Sequence, residues 1–305
     1  MKKLKYILLL LSIISFDQIF ACDICGCGNN GAYIGILPEF QKNILGIRYR
    51  NNSIKTHIGN NGMSTYLTTT ETYSAYEFWG STRLSKKINL QFTLPYNVNE
   101  RTNNIEKETI TGLGDVNLMG YYTVLESNKL TSANKVLIQS MRVSIGLKLP
   151  TGKYKMNENI SSSQLFTLGT GTLDFNLSGV YEARLQNTGV NLSANMKINS
   201  SNKDEYKYGN KFQFNAQVYQ KIFINSNFSI APNAGLQFEK NRKDVDKQEI
   251  VDISGGNLLN GSAGAELKMK NLLLGFNYQS PISQNIGNSM IAARDRSMIH
   301  LSYLF

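Results

Sequence analysis

All three cysteines of this 305-residue chain fall in one short run, Cys22-Asp23-Ile24-Cys25-Gly26-Cys27-Gly28. Thiolates at Cys22, Cys25 and Cys27 are spaced to wrap a soft ion, and Gly26 and Gly28 let the backbone curl around it. Such a set selects copper, zinc or an iron cluster over hard cations. Asp23 or a processed N-terminal amine offers a fourth ligand. Two other fates compete for the same atoms. In an oxidising compartment Cys22 can pair with Cys25 or Cys27 as a disulfide. Cys22 also stands where a lipid-bearing cysteine would stand, although Phe20 is bulky for the position two before it. The two histidines, His57 and His300, have no ligand spacing.

The residues upstream set the compartment. Lys2, Lys3 and Lys5 precede an apolar run from Tyr6 to Ser15, and Ile19-Phe20-Ala21 follows. The run is shorter than the roughly 18 apolar residues of a spanning helix. It reads as a secretory signal peptide over 1–21, cleaved after Ala21. The expected organisation is that signal, a periplasmic N-terminal segment over 22–43 carrying the cysteines, and one β domain over 44–305.

That domain alternates with period two, so one face of each strand is apolar and the other polar. Leu45, Ile47 and Tyr49 oppose Gly46, Arg48 and Arg50; Ile88, Leu90, Phe92 and Leu94 oppose Asn89, Gln91 and Thr93. Met141, Val143, Ile145, Leu147 and Leu149 oppose Arg142, Ser144, Gly146 and Lys148. The pattern recurs to Ile299, Leu301, Tyr303 and Phe305 and makes about twelve segments, or fourteen if the long connections conceal another pair. Short connections such as 85–87, 225–227 and 269–271 alternate with long polar stretches over 51–72, 97–113, 151–171, 199–209, 240–256 and 281–296. An even count of alternating strands with short and long links in turn predicts an antiparallel, up-and-down transmembrane β-barrel in the cell outer membrane. Both termini then lie beside the short turns, in the periplasm. The ending on Phe305 resembles the signal read by the barrel assembly machinery, which with outer-membrane lipid is an expected partner. Only five prolines and no fixed repeat argue against a secreted sandwich or solenoid.

The net charge of +10 is scattered rather than clustered. With no basic patch or aromatic platform, nucleic acid is not an expected partner. The polar face places Arg48, Arg50, Arg83, Arg142, Lys148, Lys197, Lys211 and Lys268 toward a lumen, with Glu77, Asp174, Glu182, Glu239 and Glu266. Such a lumen is wet and leans toward anions unless these groups pair and plug it. No Ser/His/Asp spacing and no paired carboxylates form a catalytic set, so no enzyme is expected.

Three short motifs stand out: Gly112-Leu113-Gly114-Asp115-Val116, Ile145-Gly146-Leu147-Lys148-Leu149-Pro150-Thr151-Gly152-Lys153-Tyr154, and Gly169-Thr170-Gly171-Thr172-Leu173-Asp174-Phe175. Each has a structural reading. Gly112 and Gly114 suit a tight turn into a strand, Pro150 and Gly152 suit a strand end, and Asp115 and Asp174 suit a rim. In this order the motifs resemble a family of outer-membrane transporters associated with the meta-pathway of phenol degradation, distantly similar to long-chain fatty-acid outer-membrane channels. The resemblance is specific over about 110–182 and rests on pattern elsewhere. It implies a porin-like barrel and passage of an unnamed small molecule.

Three functions follow as expectations. The first is a transporter or channel for a small solute. The second is a metal-handling barrel with a soft metal on its periplasmic tail. The third is a non-conducting structural or surface-interaction barrel. Metal content decides the second: protein purified reduced and metal-replete should carry near-stoichiometric copper, zinc or iron, and the Cys22→Ser/Cys25→Ser/Cys27→Ser variant should carry none while keeping its barrel. Equal metal in both would remove the cysteines from consideration as ligands.

Overall fold

A computed structural model describes residues 42–59, 63–103, 105–131, 134–154 and 166–305. The signal and cysteine segments lie outside the described residues. In chain order the strands are β1 (Ile44–Thr56), β2 (Thr69–Arg83), β3 (Ile88–Thr102), β4 (Lys107–Leu113), β5 (Val116–Leu130), β6 (Val136–Leu149), β7 (Asp174–Leu185), β8 (Thr188–Ile198) and β9 (Tyr206–Lys207). They continue with β10 (Lys211–Gln220), β11 (Ile222–Asn225), β12 (Phe228–Asn241), β13 (Val245–Asp246), β14 (Glu249–Ile250), β15 (Gly256–Met269), β16 (Leu272–Ile286) and β17 (Ala292–Leu304).

Twelve of these close a ring. Antiparallel pairing runs β10-β8-β7-β6-β5-β3-β2-β1-β17-β16-β15-β12, and β12 returns to β10. The shortest ring strand, β10, has 10 residues, which matches the roughly 9–11 that a tilted strand needs to cross hydrocarbon. Apolar residues face outward and stay exposed, among them Ile47, Phe78, Leu94, Ile145, Leu236 and Ile299. A soluble protein would not leave so continuous an apolar girdle in water; the fold is an outer-membrane-type β-barrel.

The strands are longer than alternation indicates. β1 runs to Thr56 and β2 starts at Thr69, so both flanks of the supposed 51–72 loop are strand. Likewise β3 and β4 form a hairpin through the supposed 97–113 loop. Beyond the girdle, outward residues need not be apolar, so pairing continues after the pattern has faded. β4 covers the Tyr96–Thr102 half of β3 and β5 covers the Ile88–Thr93 half. They are one strand broken at Gly114-Asp115. At the same long-loop end, β9, β13 and β14 form a small three-stranded sheet.

The interior is filled rather than tubular. Lys148, Glu239 and Asn241 show no exposed surface. Inward glycines make this filling possible, because a large side chain can lie across one and reach the strand beyond. His300 of β17 crosses Gly275 of β16 and faces Glu266 of β15 at 3.8 Å. Tyr219 of β10 crosses Gly189 of β8 and donates to Glu182 of β7. Gln217 of β10 crosses Gly235 of β12 and donates to Ser262 of β15 at 3.5 Å. A side chain on any of these three glycines would collide with the crossing residue. Gly275→Leu should therefore cost about 1–3 kcal/mol by overpacking. Gly179→Leu, where nothing stands within 4 Å, should change stability by less than about 0.5 kcal/mol. Urea midpoints of the two variants in detergent micelles check the difference.

Candidate functional site

The three motifs meet at the long-loop end of β5, β6 and β7, around the strand break at Gly114-Asp115. Gly114 N–H donates to the Pro95 carbonyl (2.9 Å), and a side chain at Gly114 would strike Asn97. Gly112 has φ +155°, a backbone state that L side chains rarely adopt. The break turns Asp115 inward. Its carboxylate accepts from Gly152 N–H (2.9 Å), Thr170 N–H (2.9 Å), Thr170 Oγ1 (3.1 Å) and Lys148 Nζ (2.7 Å). Thr151 Oγ1 donates to the Gly114 carbonyl and accepts from Val116 N–H, each at 2.9 Å.

Lys148, wholly buried, also lies 2.8 Å from Asp174 and donates to Thr170. Asp174 accepts from Thr172 Oγ1 (2.7 Å) and Ser200 N–H (3.1 Å), and Lys197 stands 3.4 Å away. Two lysines and two aspartates therefore neutralise one another, with partners supplied by the motifs, by Lys197 of β8 and by the loop that follows it. Gly152 and Gly169 allow this crossing, since a side chain on either would meet the other's backbone. Pro150 ends β6, where the missing N–H removes no ladder bond.

This ionic knot holds the segment 166–173 inward against β3. Asn97 Nδ2 donates to the Leu168 carbonyl (3.0 Å) and Asn99 Nδ2 to the Thr167 carbonyl (2.8 Å). The Arg101 guanidinium lies 4.3 Å from the Phe166 ring centroid and 2.9 Å from Glu71. Tyr154 packs its ring on Gly171. Burial pushes the Tyr154 hydroxyl up to about 12, with Asn202, Asp204 and Asp246 around it. It therefore stays protonated at any physiological pH.

The remaining sequence candidates are placed as follows. Arg48 and Arg50 both bind Glu77 on the inner face, Arg48 at 2.5 Å. Arg142 is buried and donates to Ser140 (3.3 Å). Glu182 faces inward and accepts from Tyr219. Lys211 and Arg296 converge on Glu239 at 3.1 and 2.5 Å. Arg83 does not line the interior. At the last residue of β2 it is exposed at the short-turn rim and donates to the Ser85 carbonyl (3.1 Å). Arg48, Arg50, Lys148, Lys197, Lys211 and Arg296 are thus matched by acids, which reduces the anion preference expected from counting charges. Cys22, Cys25 and Cys27 lie outside the described residues. Among the described residues no group of three or more His, Cys, Asp or Glu could hold a metal.

Sequence reasoning singled out Asp115, Gly112, Gly114, Pro150 and Gly152, quoted Thr170 and Thr172 within the third motif without giving them a role, and missed Asn97 and Asn99. A charge alternation across the motifs, Asp115, Lys148 and Asp174, was the available signal.

A closed ring with an apolar girdle and an inward-tied loop defines an outer-membrane β-barrel. Residues 48–282 match the family model described as "Putative MetA-pathway of phenol degradation", and the chain belongs to that family. Its structure resembles the COG4313 outer membrane channel from Pseudomonas putida F1, at 16% identity and TM-score 0.59, over 87% of this chain and 96% of that one. The β domain of the Bordetella autotransporter BrkA is similar over 86% and 99%, with 13% identity and TM-score 0.47. No curated protein matches the sequence.

Removing one partner from a buried ion cluster leaves the others uncompensated. Lys148→Met should cost about 3–5 kcal/mol and release the 166–173 segment. Limited proteolysis in detergent should then cut within 166–173 faster in the variant than in wild-type protein.

Proposed function

We propose that this protein is a gated outer-membrane channel for a small solute, with the long loops outside the cell and both chain ends in the periplasm. Short turns on the periplasmic side and long loops outside are usual for such barrels. The observation that carries the reading is the layering of the interior. At the short-turn end Ile44, Trp79, Tyr219, Ala231, Leu273 and Leu304 form one buried apolar cluster. At the long-loop end Ile54, Tyr73, Leu258, Ile286, Ile291 and Ala293 form another. Between them the inward residues are mainly polar, including Gln91, Asn233, Ser262, Asn277 and His300, with Met119 and Met298 buried beside Gln91 and Asn277. Apolar constrictions shut a pore by excluding water, while the polar zone between them serves no purpose in a barrel built only for packing. The channel activity named for the Pseudomonas putida protein supports the same reading.

The tied 166–173 segment is the movable part. Its anchors are polar and reversible, whereas the ring strands cannot separate without exposing backbone to lipid. Catalysis has no place in this reading, since the buried acids and cations serve one another. A soft metal on the cysteine tail would sit at the periplasmic mouth, where the chain enters β1. The assembly machinery would meet the exposed, stacked rings of Tyr303 and Phe305.

The filled interior favours one competing reading, a non-conducting structural barrel. Planar bilayers separate the two. The channel reading expects rare, small openings from wild-type protein and a higher open probability from Leu258→Ser and Leu273→Ser. If wild type and both variants are silent and pass no solute, the barrel is structural.

A further inference from the structure

Positive charge is scattered along the chain, but the ring gathers it at one end. The five short turns with their flanks, 83–88, 129–136, 184–188, 221–228 and 268–272, hold nine Lys and Arg and no Asp or Glu. The stretches that lead through the long loops, 51–72, 97–113, 151–171, 199–209, 240–256 and 281–296, hold 13 Lys and Arg against 12 Asp and Glu. Pairing differs in the same way. At the long-loop end Lys107 lies 3.1 Å from Glu100 and Lys243 2.6 Å from Asp252. Among the described residues no carboxylate stands within ion-pair distance of Lys86, Lys87, Lys129, Lys135 or Lys270, all of them exposed. The acids nearest these turns in the chain belong to the inner face. Glu126 is in register with the buried Ser140, Glu182 accepts from Tyr219, and Glu266 faces His300.

The cations are concentrated further on one arc. β8, β7, β6, β5, β3 and β2 are consecutive in the ring. Their three short turns carry Arg83, Lys86, Lys87, Lys129, Lys135 and Arg184. The apolar girdle runs almost to these tips, since Leu84, Ile88, Leu125 and Leu185 are exposed. The remaining short turns repeat this with Ile224 and Leu272. Turns that begin where the hydrocarbon ends stand in the headgroup layer rather than in free solution. Lys87 shows which way such a cation turns. Its ammonium lies 5.9 Å from the ring centroid of Tyr122, an exposed girdle residue of β5 paired with Ile88. It folds back along the outer wall, as a lysine does at a membrane interface, and not across the mouth where a solute would pass.

The chemistry of the partner follows from charge and depth. Cations clustered at the membrane surface favour headgroups of net negative charge. A zwitterionic headgroup carries its own ammonium and gains little. An acidic protein arriving from solution would meet the turn tips, away from Tyr122. We infer that the short-turn rim, most strongly its β2–β8 arc, is a cationic collar that binds anionic phospholipids, with their phosphodiesters seated between the β2–β3 and β5–β6 turns. The leaflet is the periplasmic one, which rests on the orientation proposed above. Lipid binding by the collar is independent of whether the lumen conducts.

Spin-labelled phosphatidylglycerol and phosphatidylcholine, each traced in phosphatidylcholine vesicles holding the full-length protein, measure the preference. Phosphatidylglycerol should be held at the protein surface about fivefold more strongly, the scale of one lysine beside an anionic headgroup. That preference should fade in about 0.5 M salt, where screening leaves charges a reach of a few ångströms. Lys86→Gln/Lys87→Gln/Lys129→Gln/Lys135→Gln should abolish it. Lys55→Gln/Lys203→Gln/Lys207→Gln/Lys247→Gln, which removes as much charge from the long-loop end, should retain it. Equal association of the two lipids, a preference that survives the first variant, or one lost in both variants overturns the collar. The leaflet is read separately, from Ser226→Cys in the Cys22→Ser/Cys25→Ser/Cys27→Ser background. A membrane-impermeant maleimide should reach it only after the outer membrane is opened. Labelling of intact cells overturns the orientation and the periplasmic leaflet, while the vesicle result decides the collar itself.

Discussion

In hydrocarbon a backbone N–H or C=O without a partner costs several kcal/mol, and lipid offers none. The ring from β1 to β17 answers this by pairing every neighbour and returning on itself through β1–β17. Closure at twelve strands then fixes a small interior that side chains can fill. Outward positions become apolar because they meet lipid, and inward positions become polar because they meet one another. The inward glycines follow from the same limit, since a narrow barrel with large inward side chains needs places where nothing projects.

Where the girdle ends, the constraint lifts and irregularity becomes affordable. The break at Gly114-Asp115 falls there, in the strand formed by β4 and β5. So does the crossing of Gly152 and Gly169. The ionic knot of Asp115, Lys148, Asp174 and Lys197 occupies the rim, where backbone can leave the ladder and donate to carboxylates instead. A lysine with no exposed surface is tolerable only because two aspartates and two threonine hydroxyls surround it. The knot is therefore both an anchor for the inward loop and the place where disruption would be felt most.

The ring was legible in the sequence wherever lipid enforces alternation. Each of Leu45 to Tyr49, Ile88 to Leu94 and Met141 to Leu149 lies within a ring strand. The strand extensions were not legible, because Asn51 to Thr56 and Lys107 to Gly112 stand above the lipid with polar outward faces, leaving Ile54 and Ile110 as single apolar residues on the inward ones. The knot was half legible. Asp115 and the glycines stood out as motifs, but Thr170 reaches Asp115 from 55 positions away. Only loop folding, which leaves no periodic trace, brings them together. The glycine saddles were least legible of all. Gly275 and Gly189 read as blanks in an alternating pattern, yet each is defined by a partner one strand over and a target two strands over.

Those saddles impose a rule on how sequences of this kind can diverge. A residue such as His300 owes its position to Gly275, and its reach to Glu266. Drift at any one of the three sites is therefore conditional on the other two, though none adjoins the next in the chain. A lineage that enlarged position 275 would first have to shrink position 300, and the acid at 266 would then lose its reason to persist. Substitutions should travel in triplets drawn from three consecutive strands, while outward apolar positions exchange freely among themselves. Historical change in this barrel would be correlated around its circumference rather than along its chain.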